Sequence, residues 1–178
     1  MAFTRKSVWS AGIAICFIAA VAVMFFIFKK SDSVPSAALE DVHISQLVFK
    51  NIEGQDVSVA SLTGRPIIYH MWTSWCLRCT QEIDDLSALQ KEYSSAFLVV
   101  AVNRGEAAEV VKRYADQLDS QHQLLFVADS ADTLYKETGG FVMPETLFVD
   151  RSGIIRDHVR GPMDAIELKR RVQDAFGF

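Results

Sequence analysis

Two cysteines three positions apart are the residues of this sequence with the clearest chemistry. Cys76 and Cys79 lie in the stretch MWTSWCLRCTQEI, directly after an apolar run. A thiol pair at this spacing can bind a metal, exchange electrons with another protein, or pack in the interior. The other candidate ligands and the elements around the pair distinguish these possibilities.

Metal binding finds little support elsewhere in the chain. A structural zinc site needs four ligands, usually from a second Cys or His pair at short spacing. The histidines are scattered singly: His43, His70, His122 and His158. We therefore expect no metal and no cofactor. Cys16, the remaining cysteine, lies in an apolar N-terminal run, so any disulfide in the rest of the chain is this one pair.

The flanking sequence predicts that the cysteines lie where a strand passes into a helix. RPIIYHMW is a strand-like apolar run, and the residues after Cys79 place apolar side chains at helical spacing. A thiol in a first helical turn is favoured as the thiolate by free N–H groups and the helix dipole. We therefore expect Cys76 to attack and Cys79 to resolve the adduct. Arg78 adds a cation that would lower the thiol pKa, unless it is only a solvated surface residue.

The rest of the chain alternates strands with helices. Short alternating runs around Glu53 predict a hairpin, and residues 96–103 and 123–129 read as buried strands. Residues 130–138 read as a short helix, and residues 146–161 as a late hairpin. The helical spacing of apolar residues predicts three further helices, each with four inward-facing residues. In chain order, these are Ile83, Leu86, Leu89 and Tyr93 in the first helix; Val110, Val111, Tyr114 and Leu118 in the second; and Ile166, Leu168, Val172 and Phe176 in the third. The fold class is α/β, a mixed sheet flanked by helices.

The N-terminus has the character of a membrane anchor. Residues 8–28 contain no charge and are bracketed by two basic residues on each side, and 21 apolar residues can span a bilayer as a helix. We expect an uncleaved anchor in residues 1–30, a linker at 31–38 and one domain at 39–178. A cleaved signal peptide is the alternative, since SAA at 36–38 offers small residues, but the run exceeds a typical signal core. The two sides carry equal numbers of basic residues, so these charges do not predict the orientation of the span in the membrane.

The charge of the remaining chain argues against nucleic acid. Beyond position 31 there are 22 acidic and 14 basic residues, a net charge of about −8, whereas a nucleic-acid partner would need a basic face.

Taken together, the strand, WTSWCLRC, the helix and the downstream segment VMPETLFVDRSGIIRDHVRG resemble a thioredoxin-fold protein. The sequence is more closely similar to the membrane-anchored TlpA/ResA group and its relative CcmG/DsbE, thiol-disulfide oxidoreductases outside the bacterial cytoplasmic membrane. VVAVNRGEAAEVVKRYADQL is similar to the strand and inserted helix that separate this group from plain thioredoxin.

The resemblance implies roles for further residues. Met143-Pro144 matches a cis X-Pro bond that faces the cysteines, with Met143 offering backbone contacts to an extended substrate. Glu82 matches a carboxylate near the disulfide that shuttles a proton or disfavours a thiolate; otherwise it is an exposed first-turn Glu. Glu145 matches the PET of CcmG/DsbE-like proteins and would face the thiols. Trp75 is expected in the docking surface.

Two departures from the family pattern concern the redox site. His70 stands where thioredoxins have a buried Asp and many TlpA-like proteins an Asn; it serves as a base for Cys79 and tunes thiol pKa values, or is a core histidine. Leu77-Arg78 replaces a frequent Pro-containing pair. Trp72 contacts the reactive sulfur or belongs to the core.

The resemblance implies a membrane-tethered, extracytoplasmic reductant of exported proteins, such as apocytochrome c or copper-site proteins. Its electron donor would be a transmembrane reductase of the DsbD/CcdA kind. The protein would lie in the bacterial cytoplasmic membrane, with its domain facing the periplasm or exterior, and would be a monomer. A disulfide-forming oxidase is the nearest alternative. A thioredoxin-fold binding module that holds copper(I) with two thiolates is another.

Overall fold

The computed structural model describes residues 44–93, 96–117 and 124–178. Seven strands and four helices fill these ranges. The strands are β1 (Val48–Asn51), β2 (Asp56–Ser58), β3 (Ile67–Trp72), β4 (Leu98–Arg104), β5 (Leu125–Asp129), β6 (Glu145–Val149) and β7 (Ile155–Arg160). The helices are α1 (Leu77–Glu92), α2 (Ala108–Gln117), α3 (Thr133–Glu137) and α4 (Ala165–Phe176), and short 3₁₀ turns cover Ile44–Gln46 and Val59–Leu62.

The strands form one mixed sheet in the order β2-β1-β5-β4-β3-β6-β7. The central strands β3, β4 and β5 are parallel, while β1 and β6 join them antiparallel and β2 and β7 form the edges. Every residue of β3 is buried, and so are the first six residues of β4. This agrees with the continuous apolar runs from which these strands were predicted.

The two faces of the sheet carry separate hydrophobic clusters. One cluster joins the sheet to α1, α2 and α4 and contains both cysteines. The other joins the sheet to α3 and the 3₁₀ turns. The connections β3-α1-β4 and β4-α2-β5 run in the same direction along the sheet, so right-handed crossovers place both helices on the same face. The predicted mixed sheet between helix layers is confirmed.

The inward faces of the helices were predicted correctly except in two places. Ile166 is 82% exposed, so its assignment to the core is wrong. Successive helical residues are about 100° apart, and the burial of Leu168 and Val172 therefore turns Ile166 outward. On α2, Val111 is buried, whereas Val110 is half-buried and is not among the residues that pack against either cluster. Tyr93, Tyr114 and Phe176 are also half-buried, but they pack against the cluster that contains the cysteines. Leu118 lies outside the described residues.

The predicted anchor at 8–28, the linker and the domain start at Leu39 also lie outside the described residues. Within the ranges that the structure does describe, no helix combines the length and the apolar character needed to cross a bilayer.

Candidate active site

The cysteine pair forms a disulfide at the start of α1. After β3 ends, a tight turn is closed by the N–H of Cys76, which donates to the carbonyl of Thr73 at 3.1 Å. Cys76 is the N-cap of α1, and its Sγ accepts the N–H of Cys79 at 3.2 Å. The two Cα atoms are 5.3 Å apart. The predicted transition from strand to helix is confirmed.

The two sulfur-bearing residues differ in exposure. Cys76 retains 9% of its surface, whereas Cys79 is completely enclosed. An incoming thiol or disulfide therefore reaches Cys76 first. The free N–H groups at the start of α1 and the Cys79 N–H would stabilise a thiolate at Cys76 once the disulfide is reduced.

A cis proline precedes β6 at the same edge of the sheet. The Met143-Pro144 bond is cis, as the resemblance implied. Met71 at the end of β3 pairs with Glu145 at the start of β6, so the loops that carry Cys76 and Pro144 leave the sheet side by side. Pro144 is buried, and the half-buried Met143 packs against the cluster that contains both cysteines.

Glu82 is buried rather than exposed, so the first-turn surface interpretation is wrong. It retains 1% of its surface. One carboxylate oxygen accepts the Thr146 hydroxyl at 3.2 Å, and the other accepts the Met163 N–H at 3.2 Å. Burial raises the pKa of Glu82 to about 7; the two hydrogen bonds oppose this shift, and the nearby charge of Asp85 adds to it. Glu82 can therefore both hold and release a proton near neutral pH.

His70 completes this buried polar group behind Cys79. Its Nδ1 lies 3.1 Å from the Thr146 hydroxyl oxygen and 3.6 Å from Glu82 Oε1. Burial lowers the pKa of His70 to about 4, and an interaction with the Cys79 backbone works in the opposite direction. The imidazole is therefore neutral at pH 7. Its Nε2 has no hydrogen-bond partner among the described residues.

Glu145 does not face the thiols, which corrects the expectation for this residue. It is fully buried, and successive residues of β6 alternate between the faces, so the side chain lies opposite to that of Thr146. Its carboxylate binds Nε2 of His158 at 2.9 Å and accepts the N–H groups of Phe141 and Val142 at 3.0 and 3.4 Å. Glu145 therefore holds the loop before the cis proline and cannot contact a substrate directly.

The residues on either side of Cys76 are apolar and exposed. Trp75 retains 73% of its surface and Leu77 84%, which agrees with a docking role for Trp75. Phe141, in the loop before the cis proline, retains 76%. Arg78 is also exposed, so water screens its charge from the sulfurs. Trp72, in contrast, is fully buried, and its ring contacts Tyr114 with centroids 4.4 Å apart. It is therefore a core residue.

Sequence reasoning missed two polar residues of this region, Thr146 and Glu106. Thr146 follows the Pro-Glu pair, and its alternation with Glu145 along a strand would have placed it on the cysteine face. Glu106 follows the carboxyl end of the buried strand β4, where functional side chains of α/β proteins commonly lie. Among the residues described, no three His, Cys, Asp or Glu side chains are arranged to hold a metal ion.

Comparison with known proteins agrees with this site. The family described as AhpC/TSA matches residues 32–158, more than two-thirds of the chain. The sequence is 29% identical over 130 residues to sporulation thiol-disulfide oxidoreductase A of Bacillus subtilis, covering 71% of this chain and 78% of that one. It is 23% identical over 150 residues to thiol-disulfide oxidoreductase ResA of Geobacillus thermodenitrificans, covering 84% and 82%.

A solved structure gives the same result. MTB dsbF, determined in its mixed oxidized and reduced forms, superposes with a TM-score of 0.64 at 26% identity, covering 72% of this chain and 94% of that one. The relatives share the chemistry that the Cys76–Cys79 pair can perform. The chain therefore belongs to the AhpC/TSA family and is a thioredoxin-fold thiol-disulfide oxidoreductase.

Proposed function

We propose that this protein is a membrane-tethered, extracytoplasmic reductant that opens disulfide bonds of specific exported proteins. The observation that carries the proposal is the asymmetry of the cysteine pair: Cys76 is reachable at the N-cap of α1, while Cys79 is enclosed one turn further. One sulfur can meet a partner, and the other can release it.

The reaction proceeds through two thiol-disulfide exchanges. The Cys76 thiolate attacks one sulfur of the substrate disulfide, forming a mixed disulfide and releasing the other substrate sulfur as a thiolate. The Cys79 thiolate then attacks Cys76, which frees the second substrate sulfur and forms the Cys76–Cys79 disulfide. Two electrons pass to the substrate, and the two released thiolates take up protons.

Glu82 and His70 serve the enclosed thiol in this scheme. Cys79 must lose its proton before it attacks, and in the disulfide form it is fully buried. Glu82 lies one helical turn after Cys79, and its pKa of about 7 allows it to accept that proton as the carboxylate. His70, neutral at pH 7, binds Thr146 and orders the same polar group.

The surroundings of Cys79 favour reduction of substrates over their oxidation. Burial and a nearby carboxylate both disfavour a thiolate at Cys79. Disfavouring the thiolate of the reduced protein shifts the equilibrium toward its disulfide, so the dithiol form is the stronger reductant. The oxidase alternative would instead require a strongly stabilised thiolate pair.

Partners and location follow from the family and from the N-terminal sequence. We infer that the substrates are apocytochrome c or copper-site proteins, and that a transmembrane reductase of the DsbD/CcdA kind returns electrons to Cys76 and Cys79. The apolar run at 8–28 supports a single span of the bacterial cytoplasmic membrane, with the domain facing the periplasm or exterior. We propose that the protein acts as a monomer.

Trapping of the mixed disulfide tests the substrate assignment. The full chain carrying Cys79→Ala is expressed in its native host, quenched with acid, and its covalent partners are identified by mass spectrometry. Exported proteins with paired cysteines are expected, because the Cys76 adduct cannot be resolved. The control is Cys76→Ala with Cys79→Ala. Adducts that persist in this control, or no adducts at all, would contradict the proposal and favour the copper-binding module.

Location is tested by a reporter fused after Phe178 that is active only outside the cytoplasm. A signal is expected. Activity of a cytoplasmic reporter at the same position, without signal from the first, would reverse the proposed topology.

A further inference from the structure

The loop between β4 and α2 reaches across to the turn that carries the reactive cysteine. Glu106 in this loop accepts the Ser74 N–H at 2.7 Å through Oε2 and the Ser74 hydroxyl at 2.6 Å through Oε1. Oε2 also accepts the side-chain N–H of Asn103 at 2.7 Å. The backbone of Glu106 is itself fixed, because its carbonyl accepts the Ser130 hydroxyl at 2.8 Å. Three donors thus converge on one carboxylate.

These hydrogen bonds bear directly on the active-site turn. Ser74 lies inside the turn that the Cys76 N–H closes on Thr73, and it immediately precedes the exposed Trp75. Ser74 is itself exposed, so without Glu106 its N–H and hydroxyl would bond to water. Partial burial by itself would raise the pKa of Glu106, but the bonds from Ser74 and Asn103 outweigh it and hold the pKa below its ordinary value. The carboxylate is therefore charged, and its hydrogen bonds are strong ones.

The same inserted segment also contacts the start of α1 beyond the cysteines. The hydroxyl of Tyr114 on α2 donates to the Thr80 hydroxyl at 2.6 Å. Glu106 and Tyr114 thus hold the chain before Cys76 and after Cys79. Of the two, only Glu106 bonds to the turn that presents Trp75.

We propose that Glu106 is a positioning residue for the redox reaction, and that its carboxylate holds the turn from Thr73 to Cys76 so that Trp75 and the Cys76 sulfur meet an extended disulfide partner together. The inference rests on the proposed function. The reactivity of the sulfur itself depends on the start of α1, where it accepts the Cys79 N–H. Loss of Glu106 therefore affects docking more than the intrinsic chemistry of Cys76.

Glutamine is the conservative substitution that distinguishes the effect of the hydrogen bonds of Glu106 from the effect of its negative charge. With its oxygen at the place of Oε2, it accepts the N–H groups of both Ser74 and Asn103; its NH₂ group, at the place of Oε1, donates to the Ser74 hydroxyl. Glu106→Gln preserves all three contacts without the charge, whereas Glu106→Ala removes them. Glu109, an exposed carboxylate in the first turn of α2, offers a matched control for loss of one charge from this segment.

The experiment compares two disulfide probes in the full chain carrying Cys16→Ala and Cys79→Ala, so that only attack by Cys76 is observed. One probe is a short extended peptide whose cysteine is disulfide-bonded to thionitrobenzoate; the other is the small symmetric disulfide of thionitrobenzoate. In each reaction a bond forms between Cys76 and a probe sulfur, the probe disulfide breaks, and a coloured thionitrobenzoate anion leaves. The second-order rate of each reaction is measured.

We expect Glu106→Ala to slow the peptide reaction about tenfold, as loss of charged hydrogen bonds commonly does, and to change the small-probe rate by less than about threefold. Glu106→Gln and Glu109→Ala should both retain the parent rates. An unchanged peptide rate in Glu106→Ala, or equal slowing with both probes, would overturn the positioning role. A Glu106→Gln variant as slow as Glu106→Ala would assign the effect to charge instead. A parent chain that reacts with neither probe would overturn the proposed function itself.

Discussion

Nδ1 of His70 lies 3.6 Å from Oε1 of Glu82, and the Thr146 hydroxyl lies within hydrogen-bond distance of both. Burial shifts the two pKa values in opposite directions, to about 4 for His70 and to about 7 for Glu82. Both groups are therefore uncharged between these values. The enclosed site behind Cys79 is free of charge in mildly acidic solution and gains a negative charge as the pH rises through 7.

Replacing Glu82 by Gln should stabilise the oxidised protein in alkaline but not in acidic solution. The pKa of Glu82 is about 7 when folded, against 4.5 for an ordinary Glu, so the unfolded chain loses this proton first and stability falls as pH rises from about 4.5 through about 7. The accumulated loss is about 3 kcal/mol. Urea unfolding should show that the free energy of unfolding of Glu82→Gln, relative to that of the wild type, is higher at pH 8 than at pH 5 by this order of magnitude. A difference that does not change with pH would contradict the raised pKa.

His70 provides the internal control for this measurement. Its lowered pKa means that the unfolded chain binds the proton first, so stability falls as pH drops from about 6.5 through about 4. This loss of stability at acidic pH should remain in Glu82→Gln. It should be absent from a variant in which His70 is replaced by a residue that does not titrate, such as Asn.

Cys76 should be the reactive thiol of the reduced protein. In a chain carrying Cys16→Ala and Cys79→Ala, the rate of alkylation by iodoacetamide plotted against pH should have its midpoint below the ~8.5 of an ordinary thiol, because the start of α1 stabilises the thiolate. In a chain carrying Cys16→Ala and Cys76→Ala, the enclosed Cys79 should react more slowly at every pH. A normal midpoint for Cys76 would remove the helix N-terminus from the explanation of its reactivity.

Glu145→Ala should destabilise the protein by about 2–3 kcal/mol, because it leaves three part-buried donors without their acceptor. The donors are the N–H groups of Phe141 and Val142 and Nε2 of His158. Urea unfolding at pH 7 measures the effect. Glu145→Gln retains one acceptor oxygen and should therefore lose less stability than Glu145→Ala. Equal losses in both variants would show that the charge of Glu145, not its hydrogen bonding, holds the loop before the cis proline.

Gly140→Ala should displace the same loop by a steric route. A Cβ at this position would lie 2.4 Å from the Tyr135 ring, closer than side-chain atoms approach. The loss of stability should therefore exceed 1 kcal/mol, as overpacking generally does by ~1–3 kcal/mol. In a Tyr135→Ala background the added methyl group has room, so the double mutant should show less than additive loss. Strict additivity would mean that the ring does not oppose the substitution.

The sequence by itself determined the order of strands and helices and the location of the cysteine pair. Apolar runs and helical spacing are local signals, and they placed Cys76 and Cys79 at the junction of β3 and α1. The cis bond before Pro144 came from the family resemblance, because nothing in the local sequence distinguishes it from the usual trans bond.

Tertiary structure alone decided the environment of the acidic side chains. Glu82 reads as a surface residue of a first helical turn, yet Thr146 of β6 and Met163, far along the chain, enclose it and raise its pKa. Glu106 meets Ser74 across 32 positions of sequence. Periodicity records only which face of an element is apolar, whereas the burial, pKa and partners of a polar side chain depend on which distant elements pack against it.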